Sequence, residues 1–242
     1  MIKMPKVDYD AEYAKRIKLN QARMEKDILS GSKDIIDKIQ SRLGMYGLKT
    51  TVAVVLKELQ VKLKSGLTPA EVISISEWAA VKPERQNLHE NVALAALQGV
   101  YGKKINKLPT KGRRAVFFSG GKIYHKKPDT DSKSIDFHLG YEDKHKTNWT
   151  IFMGHKFTQN EGGKQTQQNV EPDRDMRNAP KMKNLLFISI KDGDGAAATL
   201  AKSVDDYEIP GQVYACKIED VEEIITEVCE NRNATFTLKG RY

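Results

Sequence analysis

The spacing of apolar residues changes partway along this 242-residue chain. Before about residue 110, apolar side chains recur every three or four positions, which is the spacing of one face of an α-helix. After the basic stretch 103–114 they alternate with polar residues, as in a β-strand with one buried face. We therefore expect a helical region over residues 1–110 and an α/β region over residues 111–242, joined in one compact unit.

A repeated apolar face predicts four helices in the first region, over residues 35–43, 51–64, 68–80 and 84–99. Gly44 follows the first of them and favours a left-handed exit from the helix. Thr68 and Glu71 have the spacing of a capping box, in which each side chain bonds the other residue's main-chain N–H group. This pair is the strongest local signal in the chain.

Short alternating segments predict strands in the second region, over residues 114–119, 122–126, 134–141, 149–157, 185–190, 212–218 and 234–238. Two helices are expected among them, near residues 196–204 and 220–230. Gly120 and Gly121 would close a first hairpin, and the charged turn 142–148 would close a second. The predicted fold class is α/β (α+β), with a central mixed β-sheet flanked by helices.

The composition excludes several classes of protein. No apolar run approaches the roughly 20 residues that a membrane span requires, and the first residues lack the apolar core of a signal peptide. Cys216 and Cys229 are too few for a disulfide framework or a zinc ribbon, so we expect both to be reduced packing residues. The chain is expected to be a soluble, cytoplasmic protein. Its net charge of +8 agrees with nucleic-acid binding but also with simple solubility.

Two charged residues occur where the strands of the second hairpin leave the core. A turn centred near residues 144–146 places Asp136 across from residues 153–155, next to Lys156. An acid and an ammonium group could therefore meet at one edge of the sheet.

This stretch resembles the type II restriction endonucleases and their wider nuclease superfamily, whose active site is written PD-(D/E)-x-K. The resemblance covers about residues 117–227 and rests on the order of the elements around Asp136 and Lys156. It implies a restriction-endonuclease-like core, in which Asp136 and the acidic residue of the tripeptide hold Mg²⁺. Lys156 would orient or activate the attacking water. Mg²⁺ prefers hard oxygen ligands and keeps several waters, so two carboxylates and a phosphate suffice.

The sequence departs from this pattern at Gly154, where the family has an acidic residue two positions before Lys156. Glu90 is the preferred substitute as metal ligand, because it lies on a predicted helix that could approach from another element. Glu142 and Glu161 are nearer in the sequence. A shifted register, an altered enzyme and a degenerate site remain equally open.

A second register matches the motif letters more literally. Asp129 follows a proline, and Glu142, Asp143 and Lys144 read as E-x-K. We prefer the first register, since Asp129 lies in a polar linker and the tripeptide lies in a charged turn that would fix no metal geometry. In the preferred register, His155 is a further candidate catalytic residue.

Polar and basic residues near the strand ends are candidates for DNA contact. The residues expected to read bases, because their side chains match the edges of adenine and guanine, are Gln159, Asn160, Lys164, Gln165, Gln167, Arg174 and Arg177. The residues expected to hold phosphates, together with Lys107 and Lys111 of the same basic loop, are Lys103, Lys104, Arg113 and Arg114.

These features favour a Mg²⁺-dependent, sequence-specific endonuclease that hydrolyses double-stranded DNA as a type II restriction enzyme. A homodimer would match a palindromic site, and the helical region would supply dimer and DNA contacts. The alternative is a non-catalytic DNA-binding or phage-type structural protein with a degenerate nuclease site, which Gly154 favours.

Overall fold

A computed structural model of the chain describes residues 7–68, 70–71, 74, 83–129, 132–158 and 173–242. Two compact units are present, one formed by residues 8–88 and the other by residue 7 with residues 89–242. The division falls earlier than the boundary predicted after residue 110. The reason is that the helix Pro83–Tyr101 buries Ala93 and Leu97 in the core of the sheet, so its second half belongs to the α/β unit.

The helical unit contains α1 (Tyr9–Ser30), α2 (Lys33–Tyr46) and α3 (Val52–Ser65). Its core consists of apolar side chains from α1 and α2, namely Met24, Ile28, Ile35, Ile39 and Leu43, covered by the apolar face of α3. The predicted end of α2 at Gly44 is wrong. The helix continues to Gly47, which has a φ of 61° and donates to the last carbonyls, so the left-handed exit lies one turn later.

The capping box at Thr68 is confirmed. The Glu71 carboxylate accepts the Thr68 N–H at 2.9 Å, and the Thr68 hydroxyl accepts the Glu71 N–H at 3.4 Å. Beyond residues 70, 71 and 74, the helix predicted to residue 80 lies outside the described residues.

The α/β unit contains a mixed sheet, as predicted, with helices before and after its strands. The sheet has five strands. The elements of the unit are α4 (Pro83–Tyr101), β1 (Ile105–Lys107), β2 (Phe117–Ser119), β3 (Lys122–Tyr124), β4 (Phe137–Glu142), β5 (Asn148–Phe157), α5 (residues 173–178), β6 (Leu185–Asp192), α6 (Ala197–Tyr207), β7 (Val213–Cys216) and α7 (Val221–Ile225). The strand order is β1-β4-β5-β6-β7, and β4 runs opposite to the other four strands. Every residue of β6 is buried, as expected for a central strand covered on both faces.

Both predicted hairpins are present. β2 and β3 form a separate two-stranded sheet, and Gly120 and Gly121 between them have φ values of 54° and 73°. In the second hairpin Phe137 lies opposite Met153, within the predicted register. A hairpin of this register brings the start of β4 beside the end of β5.

Two predicted segments differ in the structure. The basic loop 103–114 includes β1, which adds an edge strand to the sheet. The strand predicted over residues 234–238 is absent, although Phe236 and Leu238 are buried. The Asn233 side chain accepts bonds from the main chain and hydroxyl of Thr235, and this local turn replaces strand pairing.

Cys216 and Cys229 are buried and unbonded to each other, which confirms their assignment as packing residues. None of the helices in the described part of the chain combines the length and apolar composition that a membrane crossing requires.

Candidate active site

Asp136 is attached to the strand that carries Lys156. Its carboxylate Oδ2 accepts the His155 main-chain N–H at 2.7 Å, and its own N–H donates to the Met153 carbonyl at 3.2 Å. On the other side, the Asp136 carbonyl accepts the Leu108 N–H at 2.7 Å. The prediction that Asp136 lies beside residues 153–155 is therefore confirmed.

Burial of the flanking residues holds Asp136 at this position. Ile135 and Phe137 are 1% and 0% exposed, so the main chain on both sides is anchored in the core. The carboxylate is partly buried near the end of β5. It accepts the His155 N–H, in the role that a main-chain carbonyl usually has in a sheet.

The environment of Asp136 disfavours its charged form. Burial is the main cause, and the nearby negative charge of Glu90 adds to it, so that the pKa of Asp136 rises to about 6. The His155 N–H bond and the charges of His155 and Lys107 oppose this shift. Asp136 and Glu90 therefore interact electrostatically, although they lie on different elements.

Glu90 projects from α4 and pairs with a lysine of β1. Its Oε2 atom lies 2.7 Å from Lys107 Nζ, and the two side chains are 18% and 29% exposed. Lys107, which was expected to hold a DNA phosphate, is instead committed to this ion pair because Glu90 offers a half-buried carboxylate next to it. Sequence alternation in residues 105–108 could have indicated the strand that brings Lys107 here.

His155 faces the interior rather than a substrate. Its side chain is 1% exposed, and Nε2 lies 3.3 Å from Oδ2 of Asp192, the last residue of β6. The other carboxylate oxygen of Asp192 accepts the Ile218 N–H at 3.0 Å. In this position His155 can support the ends of β5 and β6, whereas a direct contact with a large substrate is blocked by the surrounding protein.

Gly154 and Lys156 lie on the face of β5 opposite to His155, because side chains alternate along a strand. Among the described residues, a Cβ atom at Gly154 would meet the Phe187 ring edge at 3.7 Å, which is an ordinary van der Waals contact. The main chain at this position therefore leaves room for a Cβ atom. Lys156 is partly buried and lies in register with Lys191 of β6.

Lys191 belongs to a buried group that we call the Lys191 network, formed with Asp173 and Ser203. The Lys191 ammonium lies 2.6 Å from Asp173 Oδ1, and it also bonds the Ser203 hydroxyl. Ser203 in turn lies within hydrogen-bond distance of Asp173. Burial lowers the pKa of Lys191, while Asp173 opposes the shift. The network joins α5, β6 and α6.

The acidic residues of the second motif register, Asp129, Glu142 and Asp143, have structural roles. Asp143 is fully buried in the turn between β4 and β5, where it accepts the N–H groups of His145 and Thr147 at 2.8 Å. Glu142 pairs with Lys146 at 3.0 Å on the surface. Asp129 caps the main chain at Ser132 at 2.6 Å. The turn lies at the end of the hairpin away from Asp136, so these groups form no common site.

The predicted DNA contacts divide into three groups. Lys103, Lys104, Arg113 and Arg114 are exposed. Arg177 is exposed beside the Tyr207 ring at 5.4 Å, and Arg174 lies on the same helix α5. The remaining candidates, together with Glu161, lie outside the described residues: Gln159, Asn160, Lys164, Gln165 and Gln167.

The carboxylates of Asp136 and Glu90 have the oxygen ligands that Mg²⁺ prefers, but they are few for a metal site. Among the residues that the structure describes, no group of three or more His, Cys, Asp or Glu side chains could hold a metal. Asp136 and Glu90 are two carboxylates on different elements, and carboxylate oxygens with water and a phosphate are the ligands that this ion takes. Metal binding by both would require Glu90 to exchange its contact with Lys107.

We expect Asp136 to contribute a fall in the free energy of unfolding as the pH rises from about 4 to about 6. Asp136 titrates near 3.8 in an unfolded chain and at about 6 in the fold, so the folded chain holds more protons in this window. Asp136→Asn keeps an acceptor for the His155 N–H but removes the charge. The variant should match the wild type near pH 4 and exceed its stability above pH 6, by up to about 3 kcal/mol.

Chemical denaturation of both proteins at pH 4 and pH 8 measures this difference. A stability difference that is the same at the two pH values would show that Asp136 does not titrate in this range.

Comparison of the chain with family models, with curated proteins and with solved structures gave no match.

Proposed function

We propose that the chain is a Mg²⁺-dependent endonuclease that hydrolyses phosphodiester bonds of double-stranded DNA, with a restriction-endonuclease-like core. The observation that carries the proposal is the hydrogen bond that the His155 main-chain N–H, one residue before Lys156, donates to the Asp136 carboxylate. The order of the five strands supports it, because an antiparallel hairpin followed by a parallel strand surrounds this point.

In the proposed reaction Asp136 and Glu90 would hold the metal, and Lys156 would orient the attacking water. When bound, Mg²⁺ would shield the phosphate and stabilise the charge that builds on the leaving oxygen. Ionisation of Asp136 is required for metal binding, so cleavage should increase with pH through about 6. His155 acts as a positioning residue, since its main-chain N–H fixes the Asp136 carboxylate.

Digestion of a mapped DNA with Mg²⁺ tests the proposal. Discrete fragments that depend on Mg²⁺ and disappear in Asp136→Ala and Lys156→Ala are expected. Uncut DNA with both Mg²⁺ and Mn²⁺, together with retardation of the DNA in a gel, would favour the second candidate. That candidate is a non-catalytic DNA-binding protein. Two observations favour it: Glu90 is paired with Lys107, and Gly154 provides no carboxylate.

The role of Glu90 as the substitute ligand predicts a rescue. Glu90→Gln should reduce Mg²⁺-dependent cleavage about 10²-fold, because one metal ligand is lost. Adding Gly154→Glu should raise the cleavage rate at least tenfold above that of Glu90→Gln, since the position has room for a Cβ atom and the new carboxylate would replace the lost ligand. The measurement is the initial rate of plasmid cleavage over a series of Mg²⁺ concentrations.

Gly154→Gln in the same Glu90→Gln background is the matched control, because it adds the same bulk without a carboxylate. Equal rates for the glutamate and glutamine variants would remove Glu90 and Gly154 from the metal site.

A further inference from the structure

A cavity of about 690 Å³ opens between the basic loop and the β2–β3 hairpin. Its lining includes five basic side chains and one hydroxyl that matter here: Lys111, Arg113, His125, Lys126, Lys127 and Ser134. Four of these are lysine or arginine, which remain charged at neutral pH. No acidic residue is among the described residues of the lining, so its four lysine and arginine side chains give a potential that favours an anion.

These residues share no sequence pattern that indicates one site. Lys111 and Arg113 lie in the basic loop, whereas residues 122–126 have only the alternation of a strand. The two segments meet because the His125 ring nitrogen Nδ1 lies 3.1 Å from the Ala115 carbonyl, which holds the end of the hairpin against the loop. Cations from both segments thereby face one cavity.

The cavity lies close to Asp136 along the chain. Ser134 lines it and pairs with Phe117 in an isolated bridge, and the next residue, Ile135, donates its N–H to Val116 at 2.8 Å. Two residues span at most about 7 Å, so the Cα atoms of Ser134 and Asp136 are within that distance. One DNA strand could therefore contact the cavity and the carboxylate together.

The hairpin also lies on the face of the sheet that carries Gly154 and Lys156. The Phe118 ring contacts the rings of Phe152 and Phe187, with centroids 5.6 Å and 5.2 Å apart. Phe152 shares its face of β5 with Gly154 and Lys156, because side chains alternate along the strand. The cavity and Lys156 therefore belong to the same side of the sheet.

We propose that this cavity binds a phosphodiester of the DNA strand that is cut. The bound phosphodiester would be the neighbour of the phosphodiester that is hydrolysed. The choice of DNA as the anion rests on the proposed function, while the anionic class of ligand follows from the lining. The apolar wall provided by Phe117 suits the sugar between two phosphates. Binding here would hold the strand in place before metal-dependent chemistry begins.

Fluorescence anisotropy of a labelled DNA duplex without Mg²⁺ tests the proposal, since cleavage is then silent. Lys111→Ala with Arg113→Ala should weaken binding at least tenfold at moderate salt. The slope of log Kd against log salt should fall in magnitude by about 0.9, the value for the one phosphate contact that is lost. The matched control is Lys122→Ala with Lys202→Ala, which removes two exposed charges outside the cavity.

Each other outcome has a defined meaning. Equal slopes for the cavity variant and the control would overturn the proposal. A deoxynucleoside monophosphate or inorganic phosphate could instead displace the duplex at concentrations similar to those at which the duplex binds. That result would assign the cavity to a free phosphate and overturn the DNA assignment. DNA binding that the cavity variant weakens, together with no cleavage in Mg²⁺, would contradict the proposed endonuclease activity. The cavity would then remain a DNA contact.

Discussion

Asp136→Asn is expected to reduce Mg²⁺-dependent DNA cleavage about 10³-fold, which corresponds to about 4 kcal/mol of transition-state stabilisation. The asparagine keeps the size of the side chain and an acceptor for the His155 N–H, so the local structure should persist. What it loses is the negative charge that binds the metal. The measurement is the single-turnover rate on a plasmid with saturating Mg²⁺ at pH 8.

The control is Asp205→Asn, which removes one carboxylate from the exposed surface of α6. This variant should cleave at the wild-type rate. If Asp136→Asn is folded and cleaves as fast as Asp205→Asn, the carboxylate at the end of β5 takes no part in the reaction.

Asp173→Ala is expected to lower the free energy of unfolding by about 3–5 kcal/mol, because it leaves the Lys191 ammonium buried without its counter-charge. The side chain of Lys191 is only 4% exposed, so water cannot replace the lost partner. Adding Lys191→Met to Asp173→Ala should recover most of the loss, since the stranded charge is then removed. Urea unfolding of the two variants and the wild type measures both effects.

The exposed pair formed by Glu142 and Lys146 provides the comparison. Its side chains are 49% and 82% exposed, so Glu142→Ala should change the free energy of unfolding by less than about 1 kcal/mol. A double variant that is no more stable than Asp173→Ala alone would mean that lost packing, rather than the unpaired charge, causes the instability.

The central hairpin could be predicted because local signals agree there. Alternation in β4 and β5 and a polar turn between them fix the register, and the register places Asp136 beside residues 153–155. Burial of residues 185–190 follows in the same way from an apolar run that only Ser189 interrupts, whereas burial of Lys191 and Asp192 does not. These elements depend on short-range patterns that the sequence displays directly.

The electrostatic surroundings of Asp136 could not be predicted from such patterns. Glu90 was a candidate on its helix, but its ion pair with Lys107 depends on how α4 packs against an edge strand. The Lys191 network likewise joins residues from three separated elements. Near residue 236 a local contact overrides the predicted strand. The Asn233 side chain accepts the Thr235 N–H, and the alternating sequence forms no strand there.

Thr158 and Asp173 are both tied to the end of β6, Thr158 through its N–H to the Asp192 carbonyl at 2.8 Å and Asp173 through Lys191. Gly193 fits this junction because a Cβ atom there would come within 2.2 Å of the Thr158 carbonyl oxygen. The described chain on either side of residues 159–172 is therefore fixed to the same end of β6. A side chain at Gly193 would therefore displace Thr158 from this junction.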